Sequence, residues 1–221
     1  MMLTLYGLNT PNVYKVTIGL EEMGFDYELK TVDVRSGKQF EPNIIAMNPN
    51  AKIPILHDHD NGITISESNA ILLYLAKKRG GFFPEDDHGY AKAMELLFFQ
   101  AASVGPLFGQ RAHFAFHSGG FDNTYALARY TKEGERLYGV LEEYLSRSGI
   151  WFLDEYSIVD MAVYGWMHTA IHMGFGVEKH PNLEAWCKQM AERPNVIKAV
   201  SIPAVLPNFP EPKRPRETIE A

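Results

Sequence analysis

Residues 3–34 read LTLYGLNTPNVYKVTIGLEEMGFDYELKTVDV, and this stretch decides the fold. Leu3 to Tyr6 is a short apolar run with strand character. From Asn12 to Met23, apolar residues recur at Val13, Val16, Leu20 and Met23, close to helical spacing, and Gly24 stands where a helix C-cap glycine belongs. Tyr27 to Val34 alternates like a second strand. A strand, a helix and a strand at this separation form a right-handed crossover unit, with the two strands parallel.

Working outward, Glu41 to Met47 reads as a short irregular helix. Ile53–His57 and Ile63–Ser66 read as two short strands. Asp60-Asn61-Gly62 between them is a strong hairpin signal. Ser68 to Lys78 then carries Ile71, Leu72 and Leu75 on one helical face. The order βαβ–ββα predicts a four-strand α/β layer of the thioredoxin-like kind over residues 1–80.

Gly80-Gly81-Phe82-Phe83-Pro84 breaks the pattern, and residues 89–200 read as all-helical. The predicted helices are Tyr90–His117, kinked at Gly105-Pro106, Thr124–Ser146, one through His172, and one opening at Pro181 and running through Glu192. Ser118-Gly119-Gly120 is read as a turn. Ser157-Ile158-Val159-Asp160 has capping-box shape, with Asp in place of Glu. Residues 201–221 are rich in proline and charge, which predicts an extended tail.

Composition narrows the function classes. The chain has 221 residues, 46% hydrophobic and 22% charged, enough to bury a core. No apolar run approaches the ~18 residues of a membrane span, and Met1-Met2-Leu3-Thr4 has no basic region leading into an apolar block. A net charge of −6 argues against nucleic acid as the partner. The single cysteine, Cys187, excludes an internal disulfide and a Cys-x-x-Cys redox pair and fits a cytoplasmic protein. His57-Asp58-His59-Asp60 resembles a metal cluster, but alternate residues of a strand end face opposite ways, so a turn is expected and no metal.

The chemistry concentrates at element junctions. Thr10-Pro11-Asn12 lies where the first strand gives way to the first helix, where free N–H groups and a positive dipole end face outward. Ile53-Pro54 enters a strand with a residue that cannot donate to a ladder, a place for a cis bond and for an extended peptide to pair with the Ile53 backbone. Glu67-Ser68 opens the third helix: its N–H groups and the Ser68 hydroxyl suit a carboxylate, and Glu67 suits an ammonium. The competing reading is that Ser66 or Ser68 caps its own helix. Lys52 offers charge for a second carboxylate. Together these groups predict a site for a small acidic peptide carrying its own thiol. Lowering a thiol pKa by about two units from about 8.5 takes roughly 2.7 kcal/mol. A helix end supplies about 0.3–1, up to about 2, and one charge-assisted hydrogen bond about 1.5–3 kcal/mol. Thr10 Oγ and the Asn12 amide or N–H are the candidate donors, with Tyr6 as a rival. The competing view is that Thr-Pro-Asn is turn chemistry alone.

LTLYGLNTPNVYKV, Asn50-Ala51-Lys52-Ile53-Pro54, the ESNAILLYLA run from Glu67 and SIVDMAVYGW from Ser157 resemble a glutathione transferase over about residues 2–200. Thr-Pro-Asn, the GPLFGQ segment from Gly105 and Ala128-Arg129-Tyr130 narrow the resemblance to the bacterial nu-like group. It implies a thioredoxin-like domain followed by an all-helical domain, and a homodimer. It implies that Pro54 is cis and that Ile53 pairs with the cysteinyl backbone of glutathione. Glu67 and Ser68 hold the γ-glutamyl end, Lys52, Gln39 and Arg129 contact the tripeptide, and Thr10 and Asn12 face the sulfur. The implied activity is disulfide reduction with glutathione as co-substrate, two per site or as its disulfide, with peroxide reduction and weak conjugation of electrophiles beside it. A conjugating transferase and a non-catalytic regulator that binds ligands are the alternatives. Two features depart from the pattern: Thr10 stands where a catalytic Ser or Cys occurs in other transferases, and Ser66 replaces a residue often larger.

Overall fold

The computed structural model describes residues 2–116 and 121–202. The predicted turn at 118–120 and all but the first two residues of the predicted tail lie outside them. Four strands form one sheet in the order β2-β1-β3-β4: β1 (Leu3–Gly7), β2 (Tyr27–Thr31), β3 (Ile55–Asp58) and β4 (Ile63–Ser66). β2 runs parallel to β1, with Leu3 beside Tyr27, and β3 runs antiparallel to β1 and β4. The first helix, α1 (Pro11–Glu22), is the predicted crossover, and α3 (Ser68–Arg79) packs beside it. A 3-10 turn (Lys38–Phe40) and α2 (Pro42–Met47) connect β2 to β3.

The remaining described chain is helical: α4 (Asp87–Phe99), α5 (Gly105–Phe116), α6 (Thr124–Ser148), α7 (Ile158–His172), α8 (Pro181–Ala191) and α9 (Pro194–Ser201). The long helix expected over Tyr90–His117 is two helices joined by a π turn, Gln100–Val104. Pro106 has no N–H to donate and its ring crowds the preceding turn. The ladder widens just before it, and the Gly105 N–H reaches back five residues to the Gln100 carbonyl. Helix α9 did not stand out in the sequence, and Ser201, placed in the tail by that reading, is its last residue. It is eight residues long, too short to hold itself, and is held by tertiary contacts. Thr17 Oγ1 donates to the Ala199 carbonyl (3.0 Å), and Arg193, its N-cap, makes two bonds to Glu22 (2.7 and 2.9 Å). No described helix is long and apolar enough to cross a membrane.

One hydrophobic core runs from the sheet through α1 and α3 into the helical part. Helix α7 is its centre, and the predicted capping box starts it. Ser157 Oγ accepts from the Val159 N–H, and Asp160 accepts from the Ser157 N–H (3.0 Å). Asp160 is fully buried and also accepts from Trp186 Nε1–H (3.0 Å) and the Phe152 N–H (3.3 Å). Burial pushes its carboxyl up to about 6, and those hydrogen bonds pull the other way. Lys15 on α1 is also buried, 2% exposed. Burial lowers its ammonium to about 7, and the Glu67 carboxylate opposes that shift.

Two stability measurements follow. Asp160→Ala strands buried N–H donors and removes a helix cap, so chemical denaturation is expected to show a loss of about 3 kcal/mol or more; a loss below 1 kcal/mol contradicts the role given to this carboxylate. Lys15 has a lower affinity for its proton in the folded than in the unfolded chain. Between pH 7 and 8.5 the unfolded chain therefore binds more protons, and stability is expected to rise with pH. The denaturation midpoint of Lys15→Met is expected to stay flat across that window.

Candidate functional site

At the start of α1 the Thr10 carbonyl accepts the N–H groups of Val13 and Tyr14 (3.0 and 2.9 Å), so Thr10 is the N-cap and Pro11 the first helical residue. The Thr10 hydroxyl does not cap the helix, and Oγ1 is buried without a hydrogen-bond partner among the described residues. Turn chemistry therefore does not account for it. Asn12 is fixed from the other side: its Oδ1 accepts the indole N–H of Trp166 on α7 (2.9 Å). That bond leaves the NH2 group as the end of the amide available to a ligand. Trp166 lies against Gly105 and Gly109 of α5, where an added Cβ would come 3.2–3.3 Å from its ring.

The sheet brings the other junctions to the same end. The Ile53–Pro54 bond is cis. Tyr6 and Ser66 both pair with Ile55, so the loop after β1, Pro54 and Glu67 sit at one edge of the layer. Ile53 is half-buried against the small cluster of Val32, Ile44 and Ile55. Tyr6 on β1 is half-buried against the same cluster. Lys52 is exposed, with its carbonyl accepting from Asn48 Nδ2 (2.9 Å). Gln39 is on the 3-10 turn, and its Oε1 is buried without a partner.

Glu67 is the N-cap of α3, with φ +69°, ψ 108°, a left-handed backbone that a non-glycine residue holds only when its surroundings fix it. No side chain caps α3. Instead Ser68 Oγ accepts from Lys15 Nζ (2.8 Å), so the capping alternative for Ser68 does not hold. Lys15 Nζ donates also to Gln100 Oε1 on the π turn (2.7 Å), and that oxygen accepts Asn69 Nδ2 (3.0 Å). Asn69 donates further to the Leu97 carbonyl (2.8 Å). Gln100 Nε2 and Asn69 Oδ1 are left buried and unpartnered.

Part of this set lines a cleft of about 310 Å³ between the sheet layer and the helices, within the usual range for a small-ligand site of roughly 300–1,000 Å³, whereas Thr10, Gln39, Lys52, Ile53 and Pro54 are not among its lining residues. Asn12, Glu67 and Ser68 meet there with Lys15, Gln100 and Trp166. Its floor offers donors from Ser68, Gln100, Lys15 and Asn12, and its rim carries the Glu67 carboxylate. Such a set can hold a group that is anionic at one point and cationic at another. Lys15, Gln100 and Trp166 were missed in the sequence. One signal for Lys15 was available: VYKVTIGL is nearly apolar on all sides, so a lone cation within it must be buried.

Other residues fall elsewhere. Arg129 is exposed on α6, with its charge acting on Glu133 one turn further, and does not line this cleft. Asp58 accepts from Lys78 (2.6 Å) and from Tyr74, His57 meets Thr64 and His59 meets Thr4. No His/Cys/Asp/Glu group among the described residues could hold a metal ion. Cys187 is buried on α8, and burial pushes its thiol up to about 12. It lines a different cleft, between α7, α8 and α9.

Comparison with known proteins agrees with this architecture. Residues 1–77 match the family model for the glutathione S-transferase N-terminal domain, and residues 112–194 match its C-terminal counterpart. The chain is 37% identical over 198 residues to the disulfide-bond oxidoreductase YfcG of Escherichia coli, covering 87% of this chain and 92% of that protein. A Burkholderia graminis glutathione transferase with two glutathione molecules per subunit superposes with TM-score 0.87 at 35% identity, over 92% of this chain and 89% of that one. A Pseudomonas putida glutathione transferase holding one glutathione disulfide per subunit gives 0.84 at 34% identity, over 91% and 92%. The fold, both domain matches and the near-full-length relatives place this chain in the glutathione transferase family.

Proposed function

We propose that this protein is a glutathione-dependent disulfide reductase in which both reacting sulfurs belong to ligands. The observation that carries the reading is the Thr10 hydroxyl, buried, unpartnered and excused from capping, beside an Asn12 amide whose NH2 end is left free by Trp166. Two neutral donors at the positive end of α1 favour an anion there. A helix end with one charge-assisted hydrogen bond reaches the roughly 2.7 kcal/mol needed to keep a thiol ionised near neutral pH. Cys187 is held as a thiol by burial, so it is a poor nucleophile.

In this reading the Ile53 backbone pairs with the cysteinyl unit, and Glu67 and Ser68 hold the γ-glutamyl end. Lys52 and Gln39 contact the rest of the peptide. Arg129, exposed on α6 and outside the cleft, has no contact assigned to it in this reading. The bound glutathione thiolate attacks one sulfur of a substrate disulfide. A new S–S bond forms, the old one breaks, and the departing thiolate takes a proton from solvent. A second glutathione thiolate then attacks the glutathione sulfur of the mixed disulfide, releasing the second substrate thiol and glutathione disulfide. Two electrons pass from two glutathiones to the substrate. The two ligand states found in the relatives, paired glutathiones and the disulfide, are the reactant and product of this sequence.

Turnover of a small disulfide with glutathione tests the assignment. Thr10→Ala and Asn12→Ala are each expected to lower kcat/KM by about ten- to a hundredfold, the value of one hydrogen bond to an anion. Cys187→Ala is expected to stay within about twofold of the parent. Loss of turnover in Cys187→Ala alone overturns the borrowed-sulfur mechanism. The same preparation assayed with an aryl halide is expected to conjugate it far more slowly than it reduces the disulfide; the opposite ranking makes the protein a conjugating transferase.

A further inference from the structure

A buried lysine beneath a ligand cleft needs an account. Among the described residues, Lys15 Nζ has no carboxylate in contact. It donates to Ser68 Oγ and Gln100 Oε1, both neutral, and is sealed from behind by Gly165, whose added Cβ would lie 2.6 Å from the Lys15 stem. Its charge is thus paired only at a distance, by Glu67, and burial has loosened its hold on the proton. Structural economy alone favours an apolar residue at such a position.

The direction of its hydrogen bonds supplies a reason. An ammonium can only donate, whereas a neutral amine donates or accepts. With Lys15 charged, Ser68 Oγ must accept from it, which turns the Ser68 O–H toward the cleft. Gln100 Oε1 must likewise accept, from Lys15 and from Asn69, which leaves the unpartnered Nε2–H2 as the end available to a ligand. One proton on Lys15 therefore sets the polarity of two cleft groups.

We propose that Lys15 is a positioning residue for the α-carboxylate of the γ-glutamyl unit, and that the site takes up a proton on Lys15 as that carboxylate arrives. The proposal rests on the glutathione reading above. The incoming carboxylate supplies the counter-charge that the empty site lacks, so ligand and proton bind with positive coupling. The groups around Lys15 leave few competitors for the proton. On α3 the charged group is Glu67, on the π turn Gln100 is neutral, and on α7 Gly165 and Trp166 are uncharged. His168 of α7 packs against Tyr14 instead, and α9 meets α1 through Thr17, Glu21 and Glu22, on other turns. Among the described residues, no histidine lines the cleft.

The test is calorimetric titration with S-methylglutathione, which has no thiol to titrate, in two buffers of different ionisation enthalpy. At pH 8 the wild-type protein is expected to take up about half to one proton per ligand bound, and at pH 6, where Lys15 is already charged, close to none. An analogue carrying that carboxylate as a primary amide is expected to show no uptake at either pH. Lys15→Met is expected to abolish the uptake and weaken binding about tenfold or more. Binding by the wild type without uptake at pH 8, or uptake that persists in Lys15→Met, overturns the role of Lys15 and leaves the glutathione reading intact. No binding of S-methylglutathione at all overturns both. The wild-type and amide-analogue measurements stand even if Lys15→Met fails to fold.

Discussion

Any side chain at position 165 would collide with the first turn of α1: its Cβ would lie 2.6 Å from the Pro11 carbonyl oxygen and 3.1 Å from the Lys15 backbone nitrogen. Glycine here lets the central helix of the all-helical part lie directly on the helix that opens the site. The next residue, Trp166, then reaches Asn12, and the two glycines of α5 make room for its ring. The candidate sulfur site is therefore not a property of the thioredoxin-like layer alone. Its Asn12 amide is oriented from 154 residues away, and the contact that does so exists only because two backbones can approach so closely.

The same closeness explains the polar network beneath the cleft. Helix α1 is covered by α3, α7 and α9, so almost its whole circumference is buried, and Lys15 is buried with it. A π turn ahead of Pro106 places Gln100 against that lysine, and Asn69 at the start of α3 completes the link. Three elements from distant parts of the chain are thereby tied to one ammonium. Such an arrangement costs desolvation energy that an apolar core would not incur. Leftover buried donors and acceptors at Thr10, Gln39, Asn69 and Gln100 are of the kind a ligand, rather than the protein, completes.

Buried polarity is used differently elsewhere. Asp160 is surrounded by donors that leave it self-sufficient, and it fastens α7 to α8 and to the preceding loop. Cys187 nearby is pushed up by burial and by the Glu184 carboxylate and remains a protonated packing residue. The division of labour follows from partner count: a satisfied buried group is structural, and an unsatisfied one at a cleft waits for chemistry.

Local signals were enough for much of the architecture. Helical spacing in α1, alternation in β2, the Asp-Asn-Gly turn, the Ser157–Asp160 box and Pro181 at the start of α8 all act within a few residues, so the sequence alone determined them. It also determined which residue types stand at the junctions: Thr10, Asn12, Pro54, Glu67 and Ser68. What it did not determine was their state. Whether Ser68 caps its own helix, and which end of the Asn12 amide is left free, depends on what lies across the cleft, and those partners are Lys15, held by Gln100, and Trp166. The widening of the helix at Gln100 and the short α9 were hidden for the same reason. Each is stabilised by contacts with residues far along the chain, and periodicity carries no record of such contacts.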